Sequence, residues 1–274
     1  MSGQATILDS DVLAQICADT RAETARRRSA MPLAQLRAKA IAAPPPRGFG
    51  QALMRATASG YALIGEIKRA SPSGGIIRPD LDPRQLARAY EAAGAAALSV
   101  LTEGPHFHGS PADLKAARAA TKLPVLRKDF ILEPWQVYES RVMGADCMLL
   151  IMKAVSDEQA VELEGIARML DMDVMAEVHD RVELDRALGL QTKLIGINNR
   201  NLSTLRTDLN VSFELSSEIP PDRFVIAESG IRSHADVQAL EAMSIRCFLV
   251  GESLMRETDV ERATRRMLGQ EPAA

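Results

Sequence analysis

Cysteine is scarce in this chain of 274 residues: Cys17, Cys147 and Cys247 are widely spaced and in no metal-ligand pattern. An odd, scattered set excludes a disulfide framework and fits reduced thiols. Cys147 is a poor candidate nucleophile, because no neighbour in sequence lowers its pKa. Aromatic residues are only 4%, so the core rests on Ala, Leu, Val and Ile, which favours helix–sheet layers over an aromatic-rich sandwich. Neither sign of charge dominates: 33 Lys+Arg face 36 Asp+Glu, a formal −3. That balance excludes nucleic-acid binding by a strong basic field. No apolar run reaches the ~18 residues of a spanning helix, and Met1-Ser2-Gly3-Gln4 opens no secretory signal. The expectation is a cytoplasmic protein with neither membrane nor nucleic acid as partner. Also missing are a Walker-type loop and the glycine-rich fingerprint of a dinucleotide site; Gly48-Phe49-Gly50 follows prolines, not a strand. His106 and His108 lack a third ligand at suitable spacing, so no metal site is expected.

What is present is an alternation. From residue 60 onward, eight short apolar runs occur near 62–67, 95–101, 124–128, 146–151, 173–178, 194–198, 224–228 and 246–250. Each is followed by a stretch of helical pattern. Asp82-Pro83 and Ser110-Pro111 supply an N-cap acceptor and a proline at the first helical position. Ser156 to Gln159 and Ser233 to Asp236 resemble capping boxes. Gly94, Gly144 and Gly189 fall where helices should stop, as residues of positive φ. Ala160, Leu163, Ala167 and Leu170 mark one apolar helix face. Strands alternating with helices pair in parallel through right-handed crossovers. Eight such units predict a (β/α)8 TIM barrel over 61–270, with an open doubly wound sheet as the weaker alternative. Residues 1–60 differ in texture and predict a helical extension packed on the barrel. An amphipathic helix over 11–28 ends in Arg26-Arg27-Arg28, taken as a solvated face, and a second helix covers about 32–42 before Pro44-Pro45-Pro46.

In such a barrel, functional groups gather at the C-terminal ends of the strands. Glu66 and Lys68 flank Ile67 at the end of the first run, two apart and hence on one face. Lys128 and Phe130 repeat that spacing after the third run. Glu177, the pair Asn198 and Arg200, and Glu228 end the fifth, sixth and seventh. Three carboxylates, two lysines and an arginine then converge at one mouth, which suggests catalysis or an anionic ligand. Glu228-Ser229-Gly230-Ile231 and Val250-Gly251-Glu252-Ser253 place glycines after the last two strands, the recurrent phosphate site of these barrels.

Seven stretches carry a resemblance. They are Ile64-Gly65-Glu66-Ile67-Lys68-Arg69-Ala70-Ser71-Pro72-Ser73, Leu98-Ser99-Val100-Leu101-Thr102-Glu103 and Pro124-Val125-Leu126-Arg127-Lys128-Asp129-Phe130. Ala176-Glu177-Val178-His179 and Gly196-Ile197-Asn198-Asn199-Arg200-Asn201-Leu202 follow. Ala227-Glu228-Ser229-Gly230-Ile231 and Val250-Gly251-Glu252-Ser253-Leu254-Met255 complete the set. Together they resemble the indole-3-glycerol phosphate synthase family, which closes an indole ring on a phosphorylated carboxyphenylamino sugar.

The resemblance implies that Lys128 is the general acid of the condensation and Glu177 the base of the dehydration. Lys68 is either the acid of that second step or an anchor for the substrate carboxylate. Glu66 orients a lysine and a substrate hydroxyl, while Asn198 and Glu228 position intermediates. Arg200 and Ser71 hold the carboxylate, Phe130 flanks the aromatic ring, and Ser229 joins the substrate-binding set. Gly230, Gly251, Glu252 and Ser253 cradle the phosphate, Glu252 through its N–H with its side chain turned away. No cofactor is implied, and the chain is expected to be a monomer or weak homodimer in contact with other tryptophan-pathway enzymes. Two alternatives stay open: a Schiff-base aldolase-like barrel using Lys68 or Lys128, and an inactive phosphosugar-binding barrel.

Overall fold

Apolar runs separated by helix-length segments cannot pair as hairpins, so each strand must lie parallel to the last. The computed structural model, which describes residues 12–201 and 204–271, closes them into a ring. The strands are β1 (Ala62–Ile67), β2 (Ala97–Leu101), β3 (Val125–Lys128), β4 (Cys147–Ile151), β5 (Asp173–Val178), β6 (Leu194–Asn198), β7 (Phe224–Glu228) and β8 (Cys247–Val250). They pair in sequence order, and β1 closes on β8 through Ala62–Cys247 to Gly65–Val250. Among the described residues three helices precede the barrel: α1 (Val12–Ala30), α2 (Leu33–Ile41) and α3 (Phe49–Thr57). The crossovers carry α4 (Pro83–Ala92), α5 (Pro111–Ala120), α6 (Pro134–Met143), α7 (Asp157–Met169), α8 (Arg181–Leu188), α9 (Asn210–Ser216) and α10 (His234–Glu241). After β8 come α11 (Glu252–Met255) and α12 (Val260–Met267). The chain is a (β/α)8 barrel.

The caps act as their residue types predict. Asp82 accepts from the N–H groups of Arg84 and Gln85, Ser110 accepts from that of Asp113, and both capping boxes form. Gly94 and Gly144 take positive φ, +83° and +93°. Gly189 does not: its φ is −71°, because the chain leaves α8 through one more right-handed turn.

Alternation along the strands separates two layers. Leu63, Gly65 and Ile67 face the helices, where Gly65 lets the Tyr90 ring lie against the strand. Ala62, Ile64 and Glu66 face the interior. The preceding helices hold different places. The α1 residues Val12, Leu13 and Ile16 border the cavity at the strands' C-terminal ends. The fully buried Phe49 and Leu53 belong to α3 at the opposite end, where the Gly50 N–H donates to Asp173 at 2.9 Å. That third helix is unforeseen in the sequence, since the prolines before it suggest only a break. The arginine run is a solvated face at Arg26 and Arg28, both exposed, although Arg28 also reaches Glu133 at 3.2 Å; Arg27 instead turns inward, pairs with Glu139 at 2.6 Å and lies over Trp135. Residues 1–11 and Leu202, which belong to the expected extension and to one motif stretch, lie outside the described residues.

Candidate active site

A strand's last inward residue sits at the rim of the barrel, and on five of the eight strands here it is charged or polar. Glu66, Lys128, Glu177, Asn198 and Glu228, with Lys68 just beyond β1, line one cavity of about 660 Å³ at the C-terminal mouth. Register brings them level: Glu177 lies beside Ile151 and Gly196, and Asn198 beside Glu228. The Lys128 Nζ donates to Glu177 Oε2 and to Glu228 Oε2, both at 2.6 Å. The Lys68 Nζ donates to Glu66 Oε1 at 2.5 Å.

Three buried carboxylates thus share two ammonium groups, and the electrostatics follow from that excess. Burial pulls the Lys128 pKa down, but the charges of Glu177, Glu228 and Glu66 outweigh it and hold the ammonium well above its ordinary range. Burial raises Glu177, yet the charges of Lys128 and His179, with hydrogen bonds from Lys128 and Asn198, keep it below the usual carboxylate value. Glu228 carries the surplus. Burial and repulsion from Glu177 and Glu66 exceed the help of Lys128 and push it up to about 7. Among the described residues the Glu228 Oε1 has no hydrogen-bond partner.

The remaining sequence candidates divide between the walls. Ser71, Phe130, Arg200, Ser229, Gly230, Gly251, Glu252 and Ser253 all line the same cavity. Phe130 is buried, its ring 6.2 Å from that of Phe107. Arg200 donates to Ser73 Oγ and lies 3.4 Å from Glu252, joining the loops after β1, β6 and β8. The Ser253 hydroxyl donates to the Ile231 carbonyl at 3.0 Å, which ties the last two loops together. Ser229 and Gly230 both take positive φ, +62° and +82°. Gly251 has no room for a side chain, because a Cβ there would meet Glu66. The Glu252 carboxylate lies in the cavity wall, 2.9 Å from Arg256. Burial raises its pKa, and the hydrogen bond from Arg256 with the charges of Lys68, Arg200 and Arg256 brings it below the ordinary value.

Some contributors were not singled out from the sequence. Asn199 is buried, and its Nδ2 donates to the carbonyls of Glu228 and Ser229 while its Oδ1 accepts from Ser212. Its place between Asn198 and Arg200 puts it on the outward face, a signal that alternation alone contains. Arg256 adds a cation to the wall, and Val12, Leu13 and Ile16 add apolar surface. His106 bonds Asp19 at 2.9 Å, and among the described residues no group of three His, Cys, Asp or Glu is set to hold a metal. Among them, too, no helix is long and apolar enough to cross a membrane.

The family model described as Indole-3-glycerol phosphate synthase matches residues 13–267. A protein of that name from Azospirillum brasilense is 55% identical over 260 residues, covering 94% of this chain and 99% of its own. One from Rhodospirillum rubrum is 55% identical over 262 residues, covering 95% and 100%. Among solved structures, thiamine phosphate pyrophosphorylase from Pyrococcus furiosus superposes with a TM-score of 0.56 at 16% identity, over 76% of this chain and 93% of that one. KGPDC from Streptococcus mutans gives 0.57 at 11%, over 76% and 95%. At those identities the structures share the fold and nothing finer.

Proposed function

The chain belongs to the indole-3-glycerol phosphate synthase family, and on that premise we propose how its own residues divide the reaction. The enzyme is a carboxy-lyase of tryptophan biosynthesis. It converts 1-(2-carboxyphenylamino)-1-deoxyribulose 5-phosphate to indole-3-glycerol phosphate, carbon dioxide and water. The ring carbon bearing the carboxylate attacks the ribulose carbonyl, and the electron pair of that carbonyl becomes an alkoxide needing a proton. Lys128 supplies it, and its positive charge steadies the alkoxide as it forms. The C–C bond to the carboxylate then breaks, carbon dioxide leaves, and its electron pair restores the aromatic ring. In the last step a hydroxyl departs as water, while Glu177 takes the proton whose loss completes the indole double bond.

The observation that carries this division is the Lys128 ammonium held at 2.6 Å from both Glu177 and Glu228 on the cavity floor. An acid and a base in contact, with opposite pKa displacements, suit successive proton transfers at neighbouring substrate atoms. Lys68, paired with Glu66 on the adjoining side, is placed either to protonate the leaving hydroxyl or to anchor the carboxylate. Asn198 and Glu228 position intermediates from β6 and β7. Arg200 and Ser71 take the carboxylate, Arg200 exchanging its long contact to Glu252 for a charge-assisted one. Phe130, with Phe107, Leu13 and Ile16, offers the apolar wall an aromatic ring needs. The N–H groups of Gly230, Gly251, Glu252 and Ser253 take the phosphate, with Ser229 beside them.

A Schiff base at Lys128 needs a neutral amine, which three carboxylates oppose. The assembled set of Glu66, Lys68, Lys128 and Glu177 speaks against an inactive barrel. Residues 61–270 form the catalytic unit in this reading, and 1–60 the extension that borders it. The protein works in the cytoplasm as a monomer or weak homodimer, touching neighbouring enzymes of the same pathway. The test is a single turnover of Glu177→Gln, with carbon dioxide release and indole fluorescence followed together. Carbon dioxide without indole is expected. Indole at the wild-type rate, or equal loss of both signals, overturns the base assignment.

A further inference from the structure

His179 follows β5 by one residue and has no part in the chemistry above. Its side chain is buried, 6% exposed, and stands between two carboxylates. Its Nδ1 lies 2.9 Å from Glu183 Oε2, an oxygen that also accepts the His179 backbone N–H at 3.0 Å. Glu183 is itself placed by the first turn of α8, where its N–H donates to the capping Asp180 at 2.9 Å. The His179 Nε2 lies 3.4 Å from Glu177 Oε1, an ion-pair distance rather than a formed hydrogen bond, and among the described residues it has no hydrogen-bond partner.

These contacts decide the protonation state. A carboxylate only accepts, so Nδ1 carries a hydrogen toward Glu183. A neutral ring then turns its Nε2 lone pair toward the Glu177 oxygen, acceptor against acceptor, in a buried place where that repulsion is costly. A doubly protonated ring turns an N–H toward each carboxylate. Every charged group facing the ring bears on this choice: Glu177 from β5, Glu183 from α8 and Glu228 from β7, with Lys128 from β3 beyond Glu177. Burial lowers the imidazole pKa, but the hydrogen bond to Glu183 and the three carboxylate charges raise it above its ordinary value.

We propose that His179 is a positioning residue for the reaction: as an imidazolium bridging Glu183 and Glu177, it fixes the Glu177 carboxylate against Lys128 and keeps it ionised for its work as base. The proposal deepens the reading of Glu177 given above and rests on it. Two carboxylates and two cations then alternate in one line, Glu183, His179, Glu177, Lys128. Each carboxylate in that line is neutralised from at least one side.

The sign follows directly. A neighbouring cation lowers the pKa of Glu177, so losing it moves the acid limb of kcat to higher pH. In His179→Gln the limb, set jointly by the coupled Glu177 and Glu228, should rise by about one unit with KM little changed. A merely structural histidine would lower kcat or stability with the limb in place, and that result overturns the proposal. In parallel, NMR titration should show the His179 pKa falling by about one unit in Glu177→Gln. An unmoved titration overturns the proposed bridge. Should His179→Gln fail to fold, Glu183→Gln keeps the ring and removes its anchor, and the limb should move the same way by about half a unit. A limb that stays put there also overturns it. The base reading fails separately: undiminished dehydration in Glu177→Gln removes the base and the proposal with it. Carbon dioxide without indole in Glu177→Gln, beside an unmoved limb in His179→Gln, overturns the proposal alone.

Discussion

Arg127 and Lys128 are consecutive cations of one strand, and the fold treats them in opposite ways. Arg127 faces the helix layer and is fully buried. Its guanidinium meets Asp129 at 2.8 Å, Glu139 at 2.9 Å, the Thr102 and Ser140 hydroxyls at 3.0 Å and the Gln136 carbonyl at 3.1 Å. Lys128 faces the cavity, 14% exposed, among carboxylates that outnumber the ammonium groups. A charge-balanced network whose central cation is closed off from the cavity fixes geometry. An unbalanced one open to a cavity leaves a proton without a settled owner, which is the condition acid–base chemistry needs.

The contrast breaks first at Lys128. Lys128→Met should reduce kcat about 10³- to 10⁴-fold, because an interaction made in the transition state is lost. A variant near the wild-type rate in the fluorescence assay would put Lys128 in the structural class. Arg127→Met should do the reverse. It leaves Asp129 and Glu139 buried without their main cation, at a cost of about 3–5 kcal/mol in urea unfolding. Its kcat per folded molecule should fall less than tenfold, since Arg127 does not line the cavity. Large loss of kcat with stability intact would mean that Arg127 belongs to the chemistry.

That two adjacent cations differ only in the face they occupy explains what was legible beforehand. The barrel could be read because strand length, cap residues and helix periodicity repeat eight times, and each repeat checks the others. The mouth could be read because Glu66 and Lys68, or Lys128 and Phe130, are spaced by two at a strand's end. What could not be read needs the partner surface. Val12, Leu13 and Ile16 announce an apolar face but not that it borders the mouth. Arg27 looks solvated until Glu139 and Trp135 stand beside it. Glu252 was expected to turn away from the phosphate loops, a matter that depends on Arg200 and Arg256 from other stretches of chain. Gly189 shows the limit of a single residue type, because a glycine permits positive φ without requiring it.

Glu228 sharpens the contrast through pH. Its folded pKa of about 7 lies above the ordinary 4.5. The folded state therefore keeps a proton that the unfolded chain has released, and this contribution to stability is full below the unfolded value. It is lost as pH rises through 7. Tm should fall between about pH 4.5 and 7.5 in the wild type and level off above, and Glu228→Gln should flatten that slope while lowering activity. A slope that survives the substitution would assign the surplus charge to another group.

The smallest effect is expected where the two networks come nearest. Arg27 of α1 pairs with Glu139, which also serves Arg127, and its guanidinium lies 5.6 Å from the Trp135 ring centre. Arg27→Ala leaves Glu139 with Arg127 as its remaining cation, and because Arg27 is itself partly exposed the loss should be about 1 kcal/mol. The same helix brings Val12, Leu13 and Ile16 to the cavity. A loosened α1 should therefore raise KM about two- to threefold with little change in kcat, the pattern of weakened uniform binding. A stability loss as large as that of Arg127→Met would show that Arg27 is a required member of the closed network. An unchanged KM would show that the wall of α1 is held by its apolar contacts alone.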